Sequence, residues 1–285
     1  MQLTRREAFA TGALALAAPL SAQDDKKVVK RGKIRQSVAR WCYGKIKLPD
    51  LCKACAEMGL PAIDLLGPAE WAVARDHGLA VSTAMVGGGI DIPNGLNHKD
   101  NHDKIVKTLE ANIPRVKEAG IPNIVCFFGN RRGMADQEGI DNSIECLNKV
   151  KALAEESKVT IVVENLNSKV DHKDYIGDRM GYCLAVIKGV DSPNVKVLYD
   201  IYHAQIMEGD IIRTIQQSHK WIGHYHTGGV PGRAEIDETQ ELHYPPIVKA
   251  ILKTGFAAYM AHEFIPRKAD PIQSLRDAVA LCDVE

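Results

Sequence analysis

The sequence predicts an α/β protein folded as a single (β/α)8 TIM barrel. Short apolar runs rich in β-branched and aromatic residues alternate with helix-like stretches, and eight such pairs follow one another along the chain. The apolar runs are continuous rather than strictly alternating, as expected for parallel strands that are buried on both faces. A chain segment of about 250 residues with eight strand–helix units has the usual size of this barrel.

The apolar runs and the helical stretches define the elements in order. Strands are predicted at residues 37–44, 62–67, 79–87, 123–129, 160–167, 195–203, 221–228 and 256–264. Helices are predicted at residues 48–58, 69–77, 100–119, 138–156, 179–188, 208–219, 244–253 and 270–283. A doubly wound sheet is the alternative, but it rarely needs eight units. It would also require a Gly-rich phosphate loop after its first strand, and the sequence contains neither GxGxxG nor GxxxxGK[ST].

The start of the chain differs from the rest. Residues 1–22 combine a basic head with Arg5 and Arg6, an apolar run, and the small pair Ser21-Ala22. This order predicts a signal peptide, and the paired arginines followed by Phe9 favour the twin-arginine type, so we expect a protein exported to the periplasm. The apolar run is shorter than the about 20 residues of a membrane span. No cysteine lies near the cleavage point, so no membrane anchor is expected.

The remaining chain divides into a polar leader at residues 23–35 and the barrel at residues 36–285. No linker rich in Pro, Gly or Ser interrupts the barrel, so one domain is predicted. The sequence holds 36 Lys and Arg residues against 36 Asp and Glu residues. This balance argues against a nucleic-acid-binding protein, because affinity for phosphates depends mostly on Lys and Arg. A small molecule is the expected partner.

The cysteines do not form a recognisable disulfide framework. There are seven of them, mostly within apolar stretches. Cys52 and Cys55 have the spacing of a redox or metal pair, but they lie in a predicted amphipathic helix and no second CxxC follows. We therefore favour small buried hydrophobic residues over a reactive pair.

Metal-ligand side chains lie at the ends of four consecutive predicted strands. These residues are Glu164, Asp200, His226 and Glu263. Because the carboxyl ends of barrel strands meet at one mouth, the four side chains can converge there. Three carboxylates so close together raise one another's pKa unless a cation compensates. The pattern therefore predicts one divalent ion, with Mn²⁺, Mg²⁺ or Co²⁺ favoured by the oxygen-rich ligands and Zn²⁺ as a further candidate.

Strand alternation separates the other histidines. His224 and His226 share one face of their strand, so either can point inward, and His226 is chosen because it is nearer the strand end. His262 precedes Glu263 by one residue and should point to the opposite face. His203 lies three residues beyond Asp200, where the sixth predicted strand gives way to a loop, and it can face a substrate.

Five sequence motifs resemble the sugar isomerase/epimerase superfamily of xylose-isomerase-like TIM barrels, most closely its hydroxypyruvate isomerase branch. The resemblance covers nearly all of the chain after the predicted signal. The motifs are ENLN at 164–167, YDIYHAQ at 199–205, HYH at 224–226 followed by VPGR at 230–233, ELHY at 241–244, and HEF at 262–264.

The resemblance implies a role for each residue. It makes the four strand-end residues the metal ligands, Glu164 and Glu263 the catalytic acid/base pair, and His203 and Arg233 substrate contacts. The implied reaction interconverts an α-hydroxyketone and an α-hydroxyaldehyde, such as hydroxypyruvate and tartronate semialdehyde, through an enediolate. Hydroxypyruvate isomerases tend to have Gln at the third ligand position, whereas His226 is typical of ketose 3-epimerases, so a 3-epimerase is the alternative. Barrels of this group commonly pair, so a homodimer is expected.

Two further function classes are weaker. A metal phosphoesterase of the apurinic-endonuclease type needs additional ligands on the earlier strands, and the ends of the first four predicted strands offer no obvious ligand. These ends are Trp41-Cys42-Tyr43-Gly44, Leu66-Gly67, Val86-Gly87 and Phe128-Gly129. A non-catalytic sugar-binding barrel would not require two opposed carboxylates.

Overall fold

The computed structural model of the protein describes residues 27–285. The predicted signal peptide at residues 1–22 and the first residues of the predicted leader lie outside the described residues. The rest of the leader packs on the barrel, because the backbone amides of Val28 and Val29 donate to the carbonyl of Met58 at 2.9 and 3.0 Å. The leader and the barrel are therefore in direct contact at this point.

Eight parallel strands form the inner layer. They are β1 (Arg35–Val38), β2 (Ala62–Ile63), β3 (Ala80–Val81), β4 (Asn123–Phe127), β5 (Thr160–Glu164), β6 (Val195–Asp200), β7 (Ile222–Thr227) and β8 (Tyr259–His262). Six strands pair in the order β1-β8-β7-β6-β5-β4, and β2 pairs with β3. Single bridges join the two sheets into a ring, from Ala39 to Asp64 and from Ala84 to Ile124. The predicted barrel is confirmed.

Helices surround this ring and connect its strands. They are α1 (Leu48–Met58), α2 (Trp71–Asp76), α3 (His102–Glu118), α4 (Asp136–Asn148), α5 (Lys151–Ser157), α6 (Met180–Val190), α7 (Ile201–Met207), α8 (Ile211–Ser218), α9 (Tyr244–Lys253) and α10 (Pro271–Cys282). Each strand of the ring points its carboxyl end to the same mouth because all pairings are parallel.

Local sequence signals fix several helix ends. α1 ends at Met58 and is capped by Gly59, whose φ of 86° lies in the left-handed region that glycine adopts without steric cost. α10 begins with Pro271, and the side chain of Asp270 accepts hydrogen bonds from the backbone amides of Ile272 and Gln273. Such caps satisfy the amides that the first helical turn leaves without partners.

The structure corrects some predicted boundaries. The first strand ends at Val38, and Arg40–Tyr43 form a 3-10 helix instead of continuing the strand. The sixth strand ends at Asp200 rather than at residue 203, because the Asp200 side chain accepts a hydrogen bond from the His203 backbone amide and caps α7. His203 therefore lies in the first turn of a helix and not in a loop.

The core lies within the ring and between the ring and its helices. All residues of β4 are buried, which agrees with a strand covered on both faces. All seven cysteines are free, and Cys52 and Cys55 are fully buried in the hydrophobic core. The prediction that these two cysteines are buried hydrophobic residues is confirmed. Among residues 27–285, no helix has both the length and the apolar character needed to cross a bilayer.

Candidate metal centre and active site

The four predicted metal ligands converge at the barrel mouth. Glu164 and Asp200 are the last residues of β5 and β6, His226 lies one residue before the end of β7, and Glu263 follows β8 directly. Asp200 and His226 are register partners across two paired strands. One ligand atom from each of the four residues lies within 4.8 Å of the others. Neighbouring parallel strands therefore produce the cluster that their spacing in the sequence predicts.

The imidazole of His226 is the centre of this cluster. Its Nδ1 atom is 2.8 Å from Glu263 Oε2, 3.0 Å from Glu164 Oε1 and 4.0 Å from Asp200 Oδ2. Each of the four residues is buried, with Glu164 the most exposed at 4%. Buried charges require partners because the protein interior solvates them poorly. The cluster therefore needs cations for its three carboxylates.

The surroundings shift the pKa values of the three carboxylates in different directions. Burial and the charge of Glu263 raise the pKa of Glu164. Burial raises the pKa of Asp200 to about 8 and outweighs the opposing effect of Arg233. Burial alone would raise the pKa of Glu263, but His226 and Arg233 outweigh it and hold that pKa below its ordinary value. Glu263 is thus the carboxylate that the protein's own cations stabilise most.

Arg233, a predicted substrate contact, reaches the same cluster. Its Nη2 donates to Glu263 Oε2 at 2.6 Å and to Asp200 Oδ2 at 3.2 Å. The guanidinium also lies over two aromatic rings, 5.1 Å from the centroid of Trp41 and 5.2 Å from that of Tyr202. Its other amino group, Nη1, makes no hydrogen bond to the described residues. That group is available to an anionic ligand.

His203, the second predicted substrate contact, presents one ring nitrogen to the cluster. Its Nδ1 accepts a hydrogen bond from the Asn167 backbone amide at 3.1 Å, so the proton of the neutral ring lies on Nε2. Nε2 is buried, has no hydrogen-bond partner among the described residues and lies 3.6 Å from Asp200 Oδ2. Burial and the nearby Arg233 lower the pKa of His203, which keeps the ring neutral.

Two residues that contact the cluster were missed by the sequence analysis. Both lie shortly after the first two strands, whose ends were expected to offer no obvious metal ligand, and both contact proposed ligands. Trp41 Nε1 donates to Glu263 Oε1 at 2.6 Å, and Asp64 Oδ2 lies 2.9 Å from His226 Nε2. The available signal for Asp64 was an acidic residue inside the otherwise apolar run AIDLLG. Trp41 gave no signal, because an aromatic residue at a strand end is ordinary core composition.

The remaining histidines of β7 and β8 lie behind the cluster. His224 Nε2 is 3.3 Å from Oδ1 of Asp64, the residue whose other carboxylate oxygen contacts His226. His262 hydrogen-bonds to Gln36 at 2.8 Å and to Thr227 at 3.2 Å. The expectation that His262 points away from Glu263 into the core agrees with these contacts, since its side chain is fully buried.

The residues of the cluster fit a divalent ion. Three carboxylates and one imidazole form a compact, oxygen-rich set of donors, which suits Mn²⁺, Mg²⁺, Co²⁺ or Zn²⁺. The buried Nε2–H group of His203, which has no partner in the described chain, lies beside the same set as a hydrogen-bond donor and not as a further ligand. The arrangement is a (β/α)8 barrel with a buried acidic centre at the carboxyl ends of its strands.

Comparison with known proteins agrees with this class. The sequence matches the xylose isomerase-like TIM barrel family over residues 52–283, and the chain belongs to that family. The predicted family resemblance is confirmed.

Two curated relatives and one solved structure show the range of similar proteins. A human putative hydroxypyruvate isomerase is 27% identical over 173 residues, which are 59% of this chain and 62% of the human protein. A 2-oxo-tetronate isomerase of Cupriavidus necator is 35% identical over 109 residues, which are 38% of this chain and 41% of that protein. The matches thus span less than two thirds of either relative. The crystal structure of an AP endonuclease, family 2, from Brucella melitensis superimposes with a TM-score of 0.76 at 20% identity, covering 85% of this chain and 97% of the other. At this identity the similarity shows the fold alone.

Proposed function

We propose that this protein is a metal-dependent isomerase that interconverts an α-hydroxyketone and an α-hydroxyaldehyde, with hydroxypyruvate and tartronate semialdehyde as its substrate pair. One observation carries the proposal. Glu164 and Glu263 both contact the same atom of His226, at 3.0 and 2.8 Å, so the two carboxylates lie side by side at one buried centre. Two curated relatives named as isomerases of 2-oxo acids support the same reaction class.

Four residues would hold the metal ion. They are Glu164, Asp200, His226 and Glu263. A divalent ion bound there supplies Lewis acidity, which stabilises the negative charge that develops on the substrate carbonyl oxygen. The raised pKa values of Glu164 and Asp200 are consistent with a cluster that requires a further positive charge.

Glu164 and Glu263 would transfer the proton. One of these carboxylates removes a proton from the carbon that bears the hydroxyl group, and the electron pair moves toward the carbonyl to give an enediolate. Glu164 or Glu263, as the carboxylic acid, then returns a proton to the former carbonyl carbon, and the hydroxyl proton passes from the first oxygen to the second, so the carbonyl and the hydroxyl group exchange places. No oxidant or reductant is needed, because the oxidation of one carbon balances the reduction of its neighbour.

Arg233 and His203 would orient the substrate. The free Nη1 group of Arg233 suits the carboxylate of a 2-oxo acid, since arginine binds carboxylates in a planar, directed manner. The Nε2–H of His203 is a fixed donor beside Asp200 and can bind a substrate hydroxyl or carbonyl oxygen. Together these contacts favour an acid over a neutral sugar.

A ketose 3-epimerase is the second candidate, and His226 favours it. This residue stands where hydroxypyruvate isomerases tend to have Gln and ketose 3-epimerases have His. The same two carboxylates would serve, but the proton would return to the carbon it left, from the opposite face. The two reactions therefore differ in the carbon that receives the solvent-derived proton.

Deuterium uptake tests both candidates. The protein, supplied with Mg²⁺ or Mn²⁺ in heavy water, is incubated with hydroxypyruvate and with ketoses of four to six carbons, and the products are examined by mass spectrometry. We expect deuterium-labelled tartronate semialdehyde, and no labelling of the same substrate by Glu164→Gln. Deuterium at C3 of a ketose alone would support the epimerase instead. No exchange with any of the substrates would contradict the proposed function.

A further inference from the structure

We propose that Asp64 is a positioning residue for the metal, which directs Nδ1 of His226 toward the ion by accepting a hydrogen bond from Nε2. This inference rests on the proposed metal-dependent function. It assigns a role to a part of the barrel that contributes no metal ligand.

The two ring nitrogens of His226 face opposite groups of carboxylates. Nδ1 faces the proposed ligands, with Glu263 at 2.8 Å and Glu164 at 3.0 Å. Among residues 27–285, the hydrogen-bonding partner of Nε2 is Asp64, whose Oδ2 lies 2.9 Å away. Asp64 and His226 are both fully buried, so water does not compete for this hydrogen bond. The imidazole therefore connects the ligand cluster to a carboxylate behind it.

The backbone and side chain of Asp64 are both held in place. The Asp64 amide donates to the Val38 carbonyl at 2.8 Å, and the Asp64 carbonyl accepts from the Arg40 amide at 3.1 Å. Its Oδ1 atom accepts a hydrogen bond from the Ser82 hydroxyl. His224 Nε2 lies 3.3 Å from the same oxygen. This imidazole makes no hydrogen bond to the described residues, so Ser82 alone bonds to Oδ1, and Oδ2 points toward His226.

A carboxylate at this position selects one form of the imidazole. An ionised carboxylate only accepts hydrogen bonds, so the nitrogen that faces Asp64 must carry the proton. When the ring is neutral, the lone pair is then on Nδ1, which is the atom that points toward Glu164, Asp200 and Glu263. Metal-bound histidines commonly use such a carboxylate to fix ring orientation and to increase the basicity of the ligand.

A second ion is the competing explanation for the same atoms. Asp64, His224 and His226 also place one ligand atom each within 4.8 Å of the others. The separation of 2.9 Å between Asp64 and His226 is an ordinary hydrogen-bond length, and Ser82 already hydrogen-bonds to the carboxylate. A hydrogen bond therefore accounts for the contact between Asp64 and His226, while both ring nitrogens of His224 have no hydrogen-bond partner among the described residues. The number of bound ions separates the two explanations.

The test compares metal affinity in Asp64→Asn with that of the wild type. The dissociation constant for Mn²⁺ is measured by competition with a chelating dye. We expect affinity to fall about 10- to 100-fold, because Asn donates as well as accepts and no longer fixes the proton on Nε2. The matched control is Asp283→Asn. Asp283 is also buried, but it lies directly after α10 and accepts hydrogen bonds from the backbone amides of residues 30–32 in the leader. The control should lower the melting temperature and leave the Mn²⁺ affinity unchanged.

A double-mutant cycle shows whether Asp64 acts through His226. Gln at position 226 can still offer an oxygen ligand but has no ring nitrogen to orient, so Asp64→Asn should cause no further loss of affinity in a His226→Gln background. Three results would each overturn this inference but not the proposed function. They are equal Mn²⁺ affinity of Asp64→Asn and the wild type, an undiminished loss of affinity in the His226→Gln background, and two bound ions per chain. Absence of Mn²⁺ binding by the wild type would overturn the proposed function as well.

Discussion

The two halves of the barrel, β1 to β4 and β5 to β8, differ in the chemistry they contribute, and the two shortest strands, β2 and β3, lie in the first half. Strands β5 to β8 have four to six residues each, and their ends provide all four proposed metal ligands. Strands β2 and β3 have two residues each and are joined to their neighbours by single bridges. The half with short strands contributes Asp64, while Trp41 comes from the segment after β1. One half thus bears the proposed reacting groups, and the other holds them by hydrogen bonds.

The largest difference should appear in catalysis. Glu164→Gln and Glu263→Gln remove the proposed proton-transfer groups, so kcat should fall about 100- to 10,000-fold in each. Trp41→Phe removes the hydrogen bond to Glu263 and keeps an aromatic ring near Arg233, so its effect on kcat should be about 10-fold. Steady-state kinetics with hydroxypyruvate measure all three. A larger loss in Trp41→Phe than in Glu263→Gln would contradict the division between the two halves.

The free energy of unfolding should depend equally on the two halves of the barrel. Leu198 in β6 and Leu66 after β2 are both fully buried in the hydrophobic core. Replacing either with Ala should lower the free energy of unfolding by about 2–5 kcal/mol, because each leaves a cavity in a packed interior. Urea denaturation measures both values. A cost well under 1 kcal/mol for Leu66→Ala would show that the short strands do not share the core of the long ones.

Substrate affinity should depend on Arg233. Arg233→Lys keeps the positive charge but loses the planar geometry that binds a carboxylate, so KM for hydroxypyruvate should rise about 10- to 100-fold. Neutral ketoses lack the carboxylate, and their KM should change much less. Initial-rate measurements on both substrate types make the comparison. An equal rise for acids and neutral ketoses would exclude Arg233 as the carboxylate contact.

A smaller effect is the pH dependence of stability that His262 causes in the core behind the site. Burial lowers the pKa of His262 to about 3 in the folded protein. The unfolded chain keeps the ordinary pKa of about 6.5, so between these values it binds more protons and stability falls as pH falls. His262 should contribute about 2 kcal/mol of this loss between pH 6.5 and pH 5. Urea denaturation at several pH values should show a shallower dependence in His262→Gln. An unchanged dependence would contradict the assignment.

The sequence predicted the long-strand half well for a physical reason. Each of Glu164, Asp200, His226 and Glu263 follows an apolar run, and successive ligands are one strand–helix unit apart. In a parallel barrel these two facts alone bring the ends together. The fold and the cluster were therefore predictable without knowledge of side-chain geometry.

The rest depended on geometry that the sequence does not contain. Asp64 reaches His226 because a single bridge to Ala39 sets the position of its backbone, and no pattern in the sequence encodes that register. Arg233 was predicted near the substrate, but its bonds to Asp200 and Glu263 depend on the path of the loop after β7. The cap that ends β6 at Asp200 was equally hidden, since the apolar run continues past it.

The metal content of the purified protein tests the central claim most directly. Elemental analysis of the wild type should give about one divalent ion per chain. The same analysis should give almost none for Glu164→Gln and Asp200→Asn, while Asp283→Asn should match the wild type. A wild-type protein without a divalent ion after growth and purification with added Mn²⁺ would contradict the account, and so would full metal content in Asp200→Asn.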